Sequence, residues 1–186
     1  MRPINKLFIH ITDSYSGDGP EITGWHTWPK KLVNGRWRHK KVEYDFDDLP
    51  PEVRGKQGND WDHVGYHYLI GSPYRTATDW RLKKPDPSHD GKIYELLPHG
   101  TAGYHASGHN ADSLSIVLVA KADHDTRRGV VTGSQLTKLR RLTKSLIARY
   151  PGLEVLGHYE TGDPKKAFCP CIDMTWFREY LHTNQS

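Results

Sequence analysis

Gly157-His158-Tyr159-Glu160, followed by Lys165-Lys166-Ala167-Phe168-Cys169-Pro170-Cys171-Ile172-Asp173, is the stretch on which the rest of the chain is organised. It follows the apolar run Leu153 to Leu156, which has the length and content of a short buried strand. A His leaves that strand. A Cys followed by Pro stands eleven positions later, past a loop carrying Gly162 and Pro164. Asp173 has the character of a helix N-cap, because Met174, Trp176, Phe177, Tyr180 and Leu181 then fall on one helical face. A His at a strand end and a Cys fixed just before a helix can lie side by side, and both are zinc ligand types.

A third ligand of the same kind lies near the N-terminus. Lys6-Leu7-Phe8-Ile9-His10-Ile11-Thr12 is an apolar strand with a His near its C-terminal end. If this strand neighbours Leu153–Leu156 in one sheet, His10 and His158 meet at the same edge. Two His and one Cys leave the fourth position of a tetrahedral zinc open, which is the pattern of a catalytic site; structural sites are closed by four protein ligands.

With these residues in view the chain resembles the zinc-dependent N-acetylmuramoyl-L-alanine amidases of the phage lysozyme type, relatives of the peptidoglycan recognition proteins. The resemblance runs in order through Phe8-Ile9-His10, Val64-Gly65-Tyr66-His67-Tyr68-Leu69-Ile70, Asp90-Gly91-Lys92-Ile93-Tyr94-Glu95, Gly103-Tyr104-His105-Ala106, Asn110 to Val119, Gly157-His158 and Cys169-Pro170-Cys171-Ile172-Asp173. It implies zinc held by His10, His158 and Cys169. It also implies that Tyr66 lies beside the metal-bound water, and that a lysine just before the ligand Cys stabilises the oxyanion or assists proton transfer. The spacing departs from the family here: the position two before Cys169 is Ala167, so the role falls to Lys166, with Lys165 in reserve. The Gly-x-His-Ala block implies a substrate contact from His105 at the cleft rim. His67 alternates with Tyr66 and is expected to face away, in a structural role.

Composition sets bounds around this reading. The 186 residues suit one domain, with 25–63 and 71–89 as family-variable insertions. No apolar run approaches the roughly 20 residues of a membrane span. Met1-Arg2-Pro3-Ile4-Asn5-Lys6 leads straight into a strand without a signal-peptide core, which implies synthesis in the cytoplasm. The net charge of +4 suits a polyanionic partner such as an anionic cell wall, and equally a merely solvated surface. The two Cys, 169 and 171, point to opposite sides of an extended run, so a mutual disulfide is disfavoured and Cys171 is expected in the core.

Along the chain, strands are expected at 7–12, Val64 to Ile70, Lys92 to Leu96 and Leu114 to Ala120, the last in a central position. Thr12 to Gly24 has the composition of a polar loop. Thr132 and Gln135 form a capping box before a helix over 134–150, whose Leu136, Leu139, Leu142, Leu146 and Ile147 recur at helical spacing.

The expected fold is a single α/β domain with a central mixed β-sheet flanked by helices and zinc at one sheet edge in an open groove. The resemblance implies a monomeric enzyme that hydrolyses the amide between N-acetylmuramic acid and L-alanine in peptidoglycan. It would serve a phage or prophage as an endolysin, made in the cytoplasm of the infected bacterium and released to the wall. A cytoplasmic muropeptide-recycling amidase fits the same features. A non-catalytic peptidoglycan-binding protein of the same fold is disfavoured because such relatives commonly lack the ligand Cys. A nucleic-acid-binding domain is disfavoured because the basic run from Lys30 to Lys41 adjoins acidic residues and no reading helix follows.

Overall fold

The computed structural model describes residues 2–123 and 128–183. Its central sheet has five strands: β1 (Lys6–Ile11), β5 (Tyr68–Ile70), β6 (Ile93–Glu95), β7 (Ser113–Leu118) and β10 (Glu154–Gly157), in the order β10-β1-β7-β5-β6. The strands β10, β1, β7 and β5 run parallel and β6 closes the edge antiparallel to β5, so the sheet is mixed. Strand β2 (Lys30–Lys31), β3 (Trp37–His39) and β4 (Val42–Tyr44) form a separate antiparallel sheet within 25–63, and β8 (Ala122–Asp123) pairs with β9 (Arg128–Gly129). Among the described residues four α-helices complete the fold: α1 (Gly19–Thr27), α2 (Ala77–Arg81), α3 (Gly133–Arg149) and α4 (Met174–His182).

Alternation along β1 divides the core into two layers, because successive side chains of a strand face opposite sides of the sheet. Leu7, Ile9 and Ile11 join Leu114, Ile116, Leu139, Leu146, Phe177 and Leu181 on the side covered by α3 and α4. Ile22 of α1 packs with Leu69, Val117 and Val119 on the other side. Helices therefore cover both faces, as the hydrophobic pattern predicts. The register pairs Ile9 with Gly157, so His10 and His158 follow at the C-terminal edge of two adjacent parallel strands.

Both helix-start signals hold. Thr132 and Gln135 form the capping box of α3, and the Asp173 side chain accepts from Trp176 N–H at the start of α4. Gly152 takes φ +84 where the chain turns from α3 into β10, a backbone conformation that costs little only for glycine.

Two expectations need correction. Thr12 to Gly24 is not all loop, since α1 begins at Gly19. Asp18 caps it through a hydrogen bond from Glu21 N–H (3.1 Å), Pro20 sits in the first turn and Ile22 anchors it in the core. The strand from Val64 shortens to Tyr68–Ile70. Its first half pairs with loops instead: Gly65 N–H donates to His26 Nδ1 (3.0 Å) and Tyr104 N–H donates to Gly65 C=O (3.1 Å). No helix among the described residues is long and apolar enough to cross a membrane.

Candidate metal centre and its cleft

His10 and His158 stand at the sheet edge, and the segment after β10 brings Cys169 to them. His158 opens a 3-10 turn (His158–Thr161), and Asp163 caps a second (Pro164–Lys166) that delivers the Cys. Tyr159 N–H donates to Cys169 C=O (2.8 Å), which ties the two turns together. The strand exit is held from below: Gly157 N–H donates to Glu160 Oε2 (2.7 Å), and Arg178 of α4 donates to the same carboxylate (3.1 Å). Gly157 permits this packing, because a Cβ there would lie 2.8 Å from Met174 Cγ and 2.9 Å from Pro170 Cδ.

One donor atom from each of His10, His158 and Cys169 lies within 4.8 Å of the others. The two imidazoles meet edge to face with centroids 4.5 Å apart, and Cys169 Sγ lies 3.9 Å from His10 Nδ1. Ligands of a tetrahedral zinc stand roughly 3.3–3.7 Å apart, given Zn–N near 2.0 Å and Zn–S near 2.3 Å. Two imidazole nitrogens from buried histidines and the sulfur of a half-buried cysteine are a donor set suited to that ion.

A cavity of about 230 Å³ adjoins this cluster, lined by Tyr66, Cys169, Lys165, Lys166, Phe168 and Asp13 among others. The family model described as N-acetylmuramoyl-L-alanine amidase matches residues 1–170. The chain belongs to this family. The endolysin of Escherichia phage T7 is 28% identical over 127 residues, which is 67% of this chain and 71% of that protein. Among solved structures, the Ph2119 endolysin from the Thermus scotoductus MAT2119 bacteriophage Ph2119 superposes with a TM-score of 0.60 at 18% identity, covering 98% of this chain and 87% of that one. The N-acetylmuramoyl-L-alanine amidase LysC from Clostridium intestinale URNW gives 0.58 at 18% identity, covering 98% and 88%. These structural likenesses concern the fold.

The electrostatics of the amidase cleft follow from burial. His10 is pushed well below the ordinary imidazole range by burial, with His105, His158 and Lys166 adding repulsion. His158 is lowered to about 4, by burial first and then by Lys166. Both rings are therefore neutral at pH 7, as ligands must be. Burial raises the Cys169 thiol to about 11 despite the opposing pull of Lys166, and it raises the Tyr66 phenol well above its usual range. Tyr66 is half-buried, 5.3 Å from His10 and 5.2 Å from His26 between ring centroids.

Of the residues that the sequence marks out, His10, His158, Cys169, Tyr66, Lys165 and Lys166 come together around one cleft. His105 does not stand at a rim. Its side chain is buried (7% exposed) beneath His10, because the loop carrying it is pulled down where Gly103 meets Gly65 and where Asn110 Oδ1 accepts from His105 and Ala106 N–H. Cys171 packs against the larger core cluster and also lines the cavity, and neither Cys is in a disulfide. Residue-by-residue reading missed His26, which accepts the Gly65 N–H and stacks on Trp61 at 4.7 Å, backing the segment that carries Tyr66. A His-Thr-Trp run without periodicity gave no signal for it.

His67 does face away from Tyr66; it is fully buried, with Arg2 and the Thr101 carbonyl at Nε2 and Ser115 at Nδ1. Burial lowers His26 and His67 to about 4 each. Unfolded, each titrates near 6.5. Below that value the unfolded chain binds more protons, so stability is lost as pH falls from about 6.5 towards 4, by at most about 1.4 kcal/mol per pH unit for each group. Urea denaturation of the metal-free protein should therefore show midpoints that fall steadily between pH 6.5 and 4. His67→Gln should lower the pH 7 midpoint but flatten that slope; an unchanged slope would remove His67 from the account.

Proposed function

We propose that this amidase hydrolyses the amide bond between N-acetylmuramic acid and L-alanine in peptidoglycan, with zinc held by His10, His158 and Cys169. The observation that carries the reading is the convergence of those three donors at one sheet edge beside a cavity that also presents Tyr66 and two lysines. When bound, zinc supplies a Lewis acid for the carbonyl and a water acidified to near neutrality.

The chain's own residues supply the rest. Burial keeps the two imidazoles neutral, so their lone pairs are available at pH 7. It also keeps the Tyr66 phenol protonated, so its O–H can donate to a carbonyl oxygen as negative charge develops there. Lys166 serves as the cation beside that charge. Both lysines line the cavity, but Lys166 is the one whose field acts on His10, His158 and Cys169 together, which supports it over Lys165.

Likeness to the phage T7 and T3 endolysins supports a phage or prophage endolysin, made in the infected cell and acting on its wall. The test pairs metal analysis of the purified protein with detection of newly exposed N-terminal alanine on peptidoglycan, with and without a chelator. One zinc per chain and alanine ends that vanish on chelation are expected. Zinc without cleavage would favour a peptidoglycan-binding protein, and neither result would survive if the three donors hold no metal.

A further inference from the structure

Behind His10 lies a line of polar groups that no substrate reaches. His10 Nε2 is 3.3 Å from His105 Nδ1, His105 Nε2 is 3.3 Å from Ser113 Oγ, and Ser113 Oγ is 2.5 Å from the His109 carbonyl oxygen. His10, His105 and Ser113 are 1%, 7% and 0% exposed. The line ends in a group with one possible role. A backbone carbonyl only accepts, so Ser113 must spend its single hydroxyl proton on His109. Its oxygen is then left to accept from His105 Nε2–H. A neutral His105 with its proton on Nε2 has a bare Nδ1, which accepts from His10 Nε2–H. His10 therefore carries its lone pair on Nδ1, the nitrogen that faces Cys169.

We infer that His105, locked by Ser113 and the His109 carbonyl, is a positioning residue that fixes His10 in the tautomer able to bind metal through Nδ1. This rests on the zinc reading above for its purpose, but the proton assignment stands on the hydrogen-bond line alone. It replaces a role in substrate contact with one beneath the ligand. Imidazole ligands of metals are commonly oriented this way through their second nitrogen, and loss of such a partner typically weakens metal binding 10–100-fold.

The loop around the line is built to keep it in register. Asn110 Oδ1 accepts from the backbone N–H of both His105 (3.1 Å) and Ala106 (2.9 Å). Phe8, the neighbour of His10 on the same face of β1, packs its ring on His105 at 5.9 Å and on His109 at 5.6 Å. Ser113 is the first residue of β7 and Lys6 its partner on β1, so the acceptor end of the line is fixed to the same sheet as His10.

The deciding experiment is a long-range ¹⁵N–¹H NMR spectrum of the histidine side chains in the metal-free wild-type protein at pH 7. Protonated Nε2 and bare Nδ1 on both His10 and His105 are expected. Protonated Nδ1 on either ring overturns the inference, whatever the zinc content proves to be. Zinc affinity, measured by competition with a chromogenic chelator, gives the consequence. His105→Leu should weaken it about 10–100-fold. His105→Asn, whose Oδ1 can accept from His10 in place of Nδ1, should recover most of that loss. Equal affinity for wild type and the folded Leu variant would also overturn the positioning role. Ser113→Ala, which frees His105 to rotate its proton between nitrogens, should give a mixture of tautomers on both rings; a single unchanged tautomer would show that Ser113 does not lock the line. If wild type binds no zinc, the metal reading fails while the NMR result still decides the tautomer.

Discussion

Cys169→Ser is expected to remove zinc binding and amidase activity together while leaving the fold in place. Zinc binds the thiolate, and the metal-free thiol, raised to about 11 by burial, must shed its proton to become one. A hydroxyl loses its proton far less readily and is a poorer partner for a borderline-soft ion. Structural zinc sites of four ligands are held by about 10–16 kcal/mol, so one ligand accounts for roughly 3 kcal/mol and its loss for about a hundredfold or more in affinity. The same proton sets a pH dependence whose sign is fixed. Metal binding releases it at every pH below about 11, so wild-type affinity should climb about tenfold per pH unit across the neutral range, where both imidazoles are already neutral. The Ser variant should be weaker throughout and lose most of that slope. Competition with a chelator at pH 6, 7 and 8 measures both quantities, and a thermal midpoint close to that of metal-free wild type guards against trivial unfolding. Persistent lysis of peptidoglycan by the zinc-free Ser variant would sink the ligand assignment.

The convergence of His10, His158 and Cys169 was legible because each of the three ends a clear signal. His10 and His158 terminate apolar runs that can only be buried strands, and the parallel register Ile9↔Gly157 is what two such strands adopt when both feed the same edge. Cys169 precedes a helix whose Asp173 cap is local chemistry. The polar-loop reading also mis-stated α1: Gly17, Gly19 and Gly24 argue against a helix and outweighed the start signals of Asp18 and Pro20, while the burial of Ile22 that fixes it is a tertiary fact. The sheet of β2, β3 and β4 was illegible for a related reason. Its β3–β4 turn places Lys40 and Lys41 at φ 50 and 68, where Asn-Gly would be the recognisable pair. What holds two lysines there is distant in sequence, since Asp60 accepts from Lys40 N–H at 2.6 Å and from Arg38 at 2.9 Å. His105 shows the same limit at the site, where motif resemblance gives a location near the three donors but not the side of His10 on which the ring lies.

Tyr66→Phe separates the chemistry from the metal. The ring is held on both sides, by His10 and by His26, and its backbone is clamped at Gly65, where a Cβ would lie 2.7 Å from the Tyr104 carbonyl oxygen. Phe keeps all of that packing and deletes one oxygen from a residue that lines the cavity. The deletion should therefore change stability by no more than about 1 kcal/mol. Zinc content should stay at the wild-type value, because Tyr66 is not among the three donors. The loss should fall on turnover. A phenol held protonated by its burial is a fixed donor, and donors aimed at a developing oxyanion are worth about 10²–10³ in kcat. Such a group acts only as charge develops, so kcat and kcat/KM should fall together with KM nearly unchanged. Steady-state release of N-terminal alanine from a soluble muropeptide measures the split. A Phe variant with wild-type turnover would make Tyr66 an ordinary half-buried aromatic; one that loses zinc along with activity would make it a support for the ligands. Only full metal occupancy with collapsed turnover assigns the phenol O–H to the reacting carbonyl.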